Sequence, residues 1–334
     1  MFIINSYALA VVLCVVTMLC WGSWGNTQKL AAKSWRYELF YWDYVIGIVL
    51  FSLLMGFTLG SHGDAGRPFV SDLQQLAPAA VWSALLGGII FNASNILLST
   101  SISLAGMSVA FPIGVGLALV LGVFNTYLFA PKGNPVMLFA GVALVVLAII
   151  FNGIASSKTQ QSADNHLKKG ITVAVVAGVL MSLFYRFVAA AMDLSDFVHP
   201  AEGKATPYTA FFVFAMGIFL SNFVFNTYVM RRPFVGQPVG YRQYFRSSLP
   251  THCVGILGGC IWGLGTLLSY ISAGKAGAAI SYALGQGAPM VAALWGVFVW
   301  KEFKGCNRQV AGLLALMFVL FIAGLSLIVL SGGS

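Results

Sequence analysis

Asp43, in the run Phe40-Tyr41-Trp42-Asp43-Tyr44, is the one carboxylate set well inside a hydrophobic span of this chain. At ~1.5 Å per helical residue it lies about 10 Å in from Arg36. An acid at that depth costs several kcal/mol unless it is paired, hydrated or protonated, so it is a functional candidate by default. A proton carrier must titrate near neutrality, and desolvation can bring an acid there. The competing reading is a structural carboxylate bonded to a neighbouring tyrosine or helix end. His252 lies about 9 Å in from Arg246 and so at a similar depth. It reads either as the second half of an Asp–His proton relay or as an interfacial histidine. Glu38, one turn nearer the basic edge, is expected to pair with Lys29 or Lys33.

Solute recognition needs flat apolar surface and polar groups that do not carry charge. Trp21, Trp24 and Gln28 are spaced i, i+3, i+7 and share one helix face. Trp21 lies about 12 Å inside Lys29, deep for an interfacial belt, which favours stacking on a ligand or packing in the core. For Trp24 a belt position is equally expected. Asn92, Asn95 and Ser99 form a second face of the same spacing. A shift of 171 positions lays them on Gly263, Thr266 and Tyr270. Two such stripes facing each other would hold donors and acceptors for an uncharged polar solute. Interhelical hydrogen bonding is the alternative for these residues, as it is for Asn222 and Asn226.

Pro112, Gly114 and Gly116 fall mid-span, and their counterparts are Ala283, Gly285 and Gly287, with Pro289 one turn on. Proline and glycine free backbone groups inside lipid, which is tolerated where protein or a hydrated cavity satisfies them. Tyr282 and Gln286 flank that weak point, so this span is expected to border the cavity. Tyr185-Arg186 places the only basic residue within a hydrophobic run about 25 Å from Lys169, near the outer face. Arg186 reads as a guanidinium snorkelling towards Asp193 or Asp196, or as an outer-gate charge.

Other chemistry is disfavoured. The five cysteines have neither zinc nor disulfide spacing, and Asp193, Asp196, His199 and Glu202 lack a metal-ligand pattern. There is no Walker A loop, no nucleophile elbow and no pair of intramembrane acids. Neither an enzyme, a bound metal nor a cofactor is expected.

The elements that position these residues are membrane helices. The chain is 59% hydrophobic and 8% charged with a mean hydropathy of +0.88, against about 25% charged residues in a soluble domain. A span needs roughly 20 apolar residues. Such runs fall near 7–28, 37–60, 78–101, 106–129, 135–156, 170–192, 207–230, 249–272, 277–300 and 308–331. Met1–Ala10 lacks the basic start of a removable signal and runs into the first span. Outside the spans, the odd-numbered loops carry 13 of the lysines and arginines and the even-numbered loops carry 4. That asymmetry places the odd loops in the cytoplasm and both termini outside. The net charge of +9 is therefore topology, and no nucleic-acid partner is expected. The basic, aromatic loop 231–248 is expected to anchor on the inner membrane surface, and loop 61–77 to be a plain connector.

The 171-residue shift runs without a gap from Leu86-Gly87-Gly88 on Leu257-Gly258-Gly259 to Val120 on Val291. Each copy holds two spans joined by a tight turn, Leu104-Ala105-Gly106 and Lys275-Ala276-Gly277. A repeated helical pair in a membrane chain is the usual trace of a transporter. With five spans in each half, the expected fold is two inverted five-helix repeats, residues 1–157 and 170–334, joined by a cytoplasmic loop at 158–169.

Cys20-Trp21-Gly22-Ser23-Trp24, Tyr41-Trp42-Asp43-Tyr44, Pro207-Tyr208-Thr209-Ala210-Phe211-Phe212 and the segment from Ile280 to Glu302 resemble the ureide permeases. Their relatives include bacterial ribose/glucose porters and rhamnose–proton symporters of the drug/metabolite transporter superfamily. The resemblance covers nearly the whole chain. It implies ten inverted-repeat helices and proton-coupled uptake; plant members take up allantoin, uracil, xanthine and similar heterocycles. Those members carry a long central loop with a Walker-A-like sequence, whereas this loop is short, as in the bacterial form. The expectation is a proton-coupled importer of a small neutral polar solute in the bacterial inner membrane, acting as monomer or homodimer. A ureide or nucleobase ranks first and a monosaccharide or nucleoside second. A drug or metabolite exporter is third, and a membrane enzyme or scaffold last.

Overall fold

The computed structural model describes residues 1–31, 35–63, 65–105, 107–158, 167–234, 236–301 and 303–333. Lys33, Gly106 and Glu302 therefore lie outside the described residues, as do positions 159–166 of the central loop. The side chain of Pro112 does too.

The regular elements among the described residues are helices, apart from one isolated β-bridge between Met192 and Ala205. Nine helices among the described residues are long and apolar enough to cross a membrane, and Ile113–Phe129 is a shorter apolar stretch between them. The first span is α1 (Tyr7–Ser23), continued after Trp24 by α2 (Gly25–Ala31). Then come α3 (Tyr37–Phe57), the short surface helix α4 (Phe69–Gln75), α5 (Pro78–Ala105), α6 (Met107–Phe129) and α7 (Pro135–Ser157). The second half holds α8 (Leu167–Ala191), α9 (Pro207–Arg231), short α10 (Tyr241–Phe245) and α11 (Leu249–Ala276). The ninth span is split into α12 (Ala278–Gly285), α13 (Ala288–Leu294) and a π-helical turn, Trp295–Val299. The last helix is α14 (Arg308–Gly332).

Lipid gives no hydrophobic reason for helices to associate, so close packing must do it, and small residues permit that. The α3–α11 contact is built this way. A Cβ on Gly259 would collide with the Tyr44 carbonyl oxygen, and one on Gly47 with the Ile256 carbonyl. The α5–α9 contact repeats the device, with Gly88 against the Phe214 carbonyl and Gly217 against that of Leu85. Gly88 and Gly259 are the positions that the 171-residue shift superposes, and α5 and α11 are both 28 residues long. Apolar side chains such as Leu54, Trp82, Val136, Val224 and Ile322 point outwards and clothe the bundle for lipid.

Contacts sort the helices into two groups. In one, α11 packs on α1 and α3, with α12 and α13 against α1. In the other, α8 packs on α5 and α6, with α9 against α5. The groups meet chiefly where α3 faces α9 and where α12 faces α6. α7 and α14 pair along the outside. The basic loops gather at one end: Lys158 Nζ donates to Gln309 Oε1 at 3.1 Å, and Lys29 lies 4.4 Å from the Trp300 ring centre.

Loop 61–77 is more than a connector. It carries α4, and Arg67 pairs with the buried Asp72 at 2.8 Å. The same guanidinium donates to the carbonyls of Pro200 (2.6 Å) and Lys204 (2.6 Å) in the loop before α9. Asp72 also accepts from the Thr206 amide at 2.8 Å. The two loops at the end opposite the basic cluster are thereby clasped together.

One further expectation is corrected. The matched weak points are not alike: α6 runs unbroken through Gly114 and Gly116, while the ninth span breaks at Gln286-Gly287. Gly114 packs within reach of Leu98 in α5, and a well-supported helix has no need to open there. The turn between α11 and α12 does need its glycine, because Gly277 has φ +88°.

Candidate functional site

Asp43 sits one turn and a half into α3 with its side chain 1% exposed, facing α11. Gly255 makes this possible, since any larger residue there would occupy the space of the Asp43 Cβ. Two donors and an imidazole nitrogen converge on the carboxylate. His252 Nδ1 is 2.8 Å from Oδ1, Tyr244 Oη donates to Oδ1 at 2.6 Å, and Trp35 Nε1 donates to Oδ2 at 3.1 Å. The rings enclose one another: Trp35 meets His252 edge-on at 5.5 Å, and Tyr244 meets His252 at 4.7 Å. Burial first, and then the carboxylate it faces, raise the Tyr244 phenol above its ordinary value, so it remains a donor.

The sequence pointed to Asp43 and His252 but not to Tyr244 or Trp35. Tyr244 belongs to α10, in the loop read as a surface anchor, and there it stands over the Asp43–His252 pair. Glu38 pairs at 2.5 Å with Arg36, which stands just before α3, while Lys33, one of its two expected partners, lies outside the described residues. The Arg36 side chain can fold back over two residues, which makes this pairing a local one.

The middle of the bundle holds the polar and aromatic stripes. Tyr41 Oη donates to Asn92 Oδ1 at 2.9 Å and accepts from Asn95 Nδ2 at 3.2 Å. Asn92 Nδ2 reaches α9, donating to Ser221 Oγ at 2.9 Å and to the Ile218 carbonyl at 3.2 Å. This network is the seam between α3, α5 and α9. From the other stripe, Thr266 accepts from the Trp21 indole at 3.1 Å, and Tyr270 is buried with no hydrogen-bond partner for its hydroxyl among the described residues. Trp21 stacks on Trp262 with centroids 6.1 Å apart, and Trp24 packs on Tyr44 at 4.7 Å. Trp262 also packs on Phe91 and Phe214, so rings line the core between the two groups. Gln28 is half-buried on α2.

Towards the end opposite the basic cluster, Tyr185 Oη lies 2.9 Å from Ser269 Oγ, and its ring packs on Tyr270 and Tyr282. Tyr282 Oη donates to the Ala118 carbonyl at 3.1 Å, bridging α12 to α6. Gln286 is buried at the break, and Pro289 is buried one turn beyond. Arg186 is exposed, and its guanidinium lies 5.8 Å from the Phe129 ring centre. Asp193 and Asp196, its expected partners, instead accept from the backbone amides of Ala201 and of Val198 and His199. A cavity of about 460 Å³ between α1, α12 and α14 is lined by Cys14, Met18, Leu284 and Ile322 among others. It is apolar, and at its wall Cys14 Sγ lies 3.6 Å from Ser281 Oγ, which in turn lies 3.0 Å from Ser269 Oγ.

Comparison with known proteins agrees with the architecture. A solved crystal structure of a protein at 17% identity superposes with a TM-score of 0.60 over 96% of both chains, a likeness of fold alone. The chain is 24% identical to Ureide permease 1 of Arabidopsis thaliana over 388 residues, covering 100% of this chain and 99% of that one. It is 23% identical to Ureide permease 2 of the same plant, with the same coverage. A probable glucose uptake protein, GlcU, of Staphylococcus aureus is 24% identical across 75% of this chain and 78% of its own. The ureide permease family model matches residues 40–169 and 159–331. With a helical membrane bundle and both halves matched, this chain belongs to the ureide permease family and is a membrane transporter.

Proposed function

We propose that the chain is a proton-coupled importer of a small neutral polar solute, a ureide or nucleobase in first place. The observation that carries this is the Asp43 cluster, a buried carboxylate within hydrogen-bond reach of a histidine and capped by Tyr244 and Trp35. A carboxylate and an imidazole in contact can exchange and hold a proton, which is what coupling to a proton gradient requires. The uncharged Tyr41–Asn92–Asn95 seam and the rings of Trp21 and Trp262 favour a neutral solute with hydrogen-bonding groups and a flat face.

The two helix groups are the bodies that rock against each other in this reading. The matched glycine contacts at Gly88 and Gly259 support an inverted repeat with a midplane site. Tyr185, Tyr282 and the break at Gln286-Gly287 then form the gate on the outer side, and the basic end faces the cytoplasm. A monosaccharide is the second reading, favoured by the likeness to the glucose uptake protein.

Reconstituted protein, given labelled uracil, allantoin, ribose and glucose with and without an acid-outside gradient, tests the proposal. Gradient-driven accumulation of uracil or allantoin supports it. Accumulation of the sugars alone selects the second reading, and gradient-independent equilibration removes proton coupling.

A further inference from the structure

Asn222 of α9 is fully buried, and among the described residues neither its amide nitrogen nor its amide oxygen has a hydrogen-bond partner. One turn on, the side-chain oxygen of Asn226 is also without a partner, although its nitrogen donates to the Glu38 carbonyl at 2.8 Å. Buried polar side chains are nearly always paired, and an unpaired amide opposes folding. Packing does not explain Asn222, because a leucine would fill similar space without that cost. Interhelical bonding does not explain it either. Its neighbours make such bonds, Ser221 with Asn92 and Asn226 with Glu38, and Asn222 makes none.

Those two bonds also locate the amide. Ser221 ties α9 to α5 and Asn226 ties it to α3, so Asn222 lies in the same seam as Tyr41, Asn92 and Asn95. Asn222 and Asn226 are i, i+4 on one face, about 6 Å apart along the axis, on the scale of one small heterocycle. The unpaired set is a donor and an acceptor on Asn222 with a further acceptor on Asn226.

We propose that Asn222, seconded by the Asn226 oxygen, is the specificity-determining residue for the transported solute and bonds the cis-amide edge that a ureide or oxo-nucleobase carries. The inference rests on the transport reading above and narrows it. A carboxamide presents its acceptor and a donor side by side in one plane. A cis-amide presents the complementary N–H and C=O in the same way, so two antiparallel hydrogen bonds satisfy both orphan atoms together. A site built to bond a polar edge discriminates steeply against solutes that lack it, since its own groups are then left unpaired.

The test is uptake of uracil, allantoin and ribose into proteoliposomes by wild type, Asn222→Leu and Asn222→Ala, with the melting temperature of each purified protein in the presence and absence of uracil. The expected result is that the leucine variant melts at or above the wild-type temperature. Its KM for uracil rises at least tenfold, and uracil no longer raises its melting temperature. Should the leucine variant fail to fold, the alanine variant is read for the same change in KM. A wild-type KM in the folded variant overturns the proposal and makes Asn222 the partner of a buried water only. Wild-type protein that carries ribose but neither lactam overturns the solute class while leaving transport intact. Protein that carries none of the three removes the ureide-or-nucleobase reading, and the proposal with it.

Discussion

His252 Nδ1 stands 2.8 Å from Asp43 Oδ1, across 209 positions of chain. The contact joins α3 to α11, and it exists because Gly255 leaves room for the Asp43 Cβ where the helices cross. Tyr244, from a helix that spans nothing, donates to the same carboxylate oxygen. The pair is therefore held by a span before the central loop, a span after it and a surface element at once.

Tyr244→Phe removes a hydrogen bond that is made best to the ionised carboxylate. Bonds to charged groups contribute ~1.5–3 kcal/mol, and 1.36 kcal/mol corresponds to one pH unit. Losing the bond favours the protonated acid, so the pH midpoint of uptake moves to alkaline values by about one to two units. A pH profile of initial uptake rates checks this, and an unmoved midpoint would show that Tyr244 does not act on the coupling group.

Gly259→Ala and Gly88→Ala each force a methyl group into a carbonyl of the facing helix. Overpacking of this kind costs ~1–3 kcal/mol, so both variants are expected to melt below the wild type. Gly312→Ala in α14, where nothing lies within 4 Å of the added carbon, serves as the control. Its helix propensity improves by about 1 kcal/mol, and its melting temperature is expected to hold or rise. Equal behaviour of all three would refute the close-contact account of α3–α11 and α5–α9.

Arg67→Met leaves Asp72 buried without its cation. Removing one partner of a buried pair costs ~3–5 kcal/mol, here at the lower end because the Thr206 amide and Gln75 still donate to the carboxylate. The loops around residues 67 and 200 are expected to be cut faster by protease added to that face. Cleavage at the wild-type rate would mean that the clasp contributes nothing.

The spans were legible because lipid imposes a length and a composition on every one of them. The shift of 171 even aligned the glycines that seat α5 and α11. Asp43 was legible for the same reason, as a charge where lipid tolerates few. Its partners were not all legible: Tyr244 and Trp35 reach the carboxylate from outside the membrane spans, where no long periodic stretch marks a side chain as inward-facing. The Arg67–Asp72 clasp was hidden similarly, since each residue is unremarkable in its own loop and meaningful only against residues 200–206. The break in the ninth span without one in α6 reflects packing, which glycine and proline content alone does not reveal. Asn222 read as an interhelical bond because only coordinates can tell a paired amide from an unpaired one.

Asp43→Asn tests the central claim most directly, because asparagine keeps the size of the side chain and cannot carry the proton. Accumulation and exchange of the best labelled solute should be measured side by side in proteoliposomes with an acid-outside gradient. The account predicts that accumulation against the gradient of solute is lost while solute-for-solute exchange persists. Accumulation at the wild-type level in the variant would contradict it and move proton coupling away from Asp43.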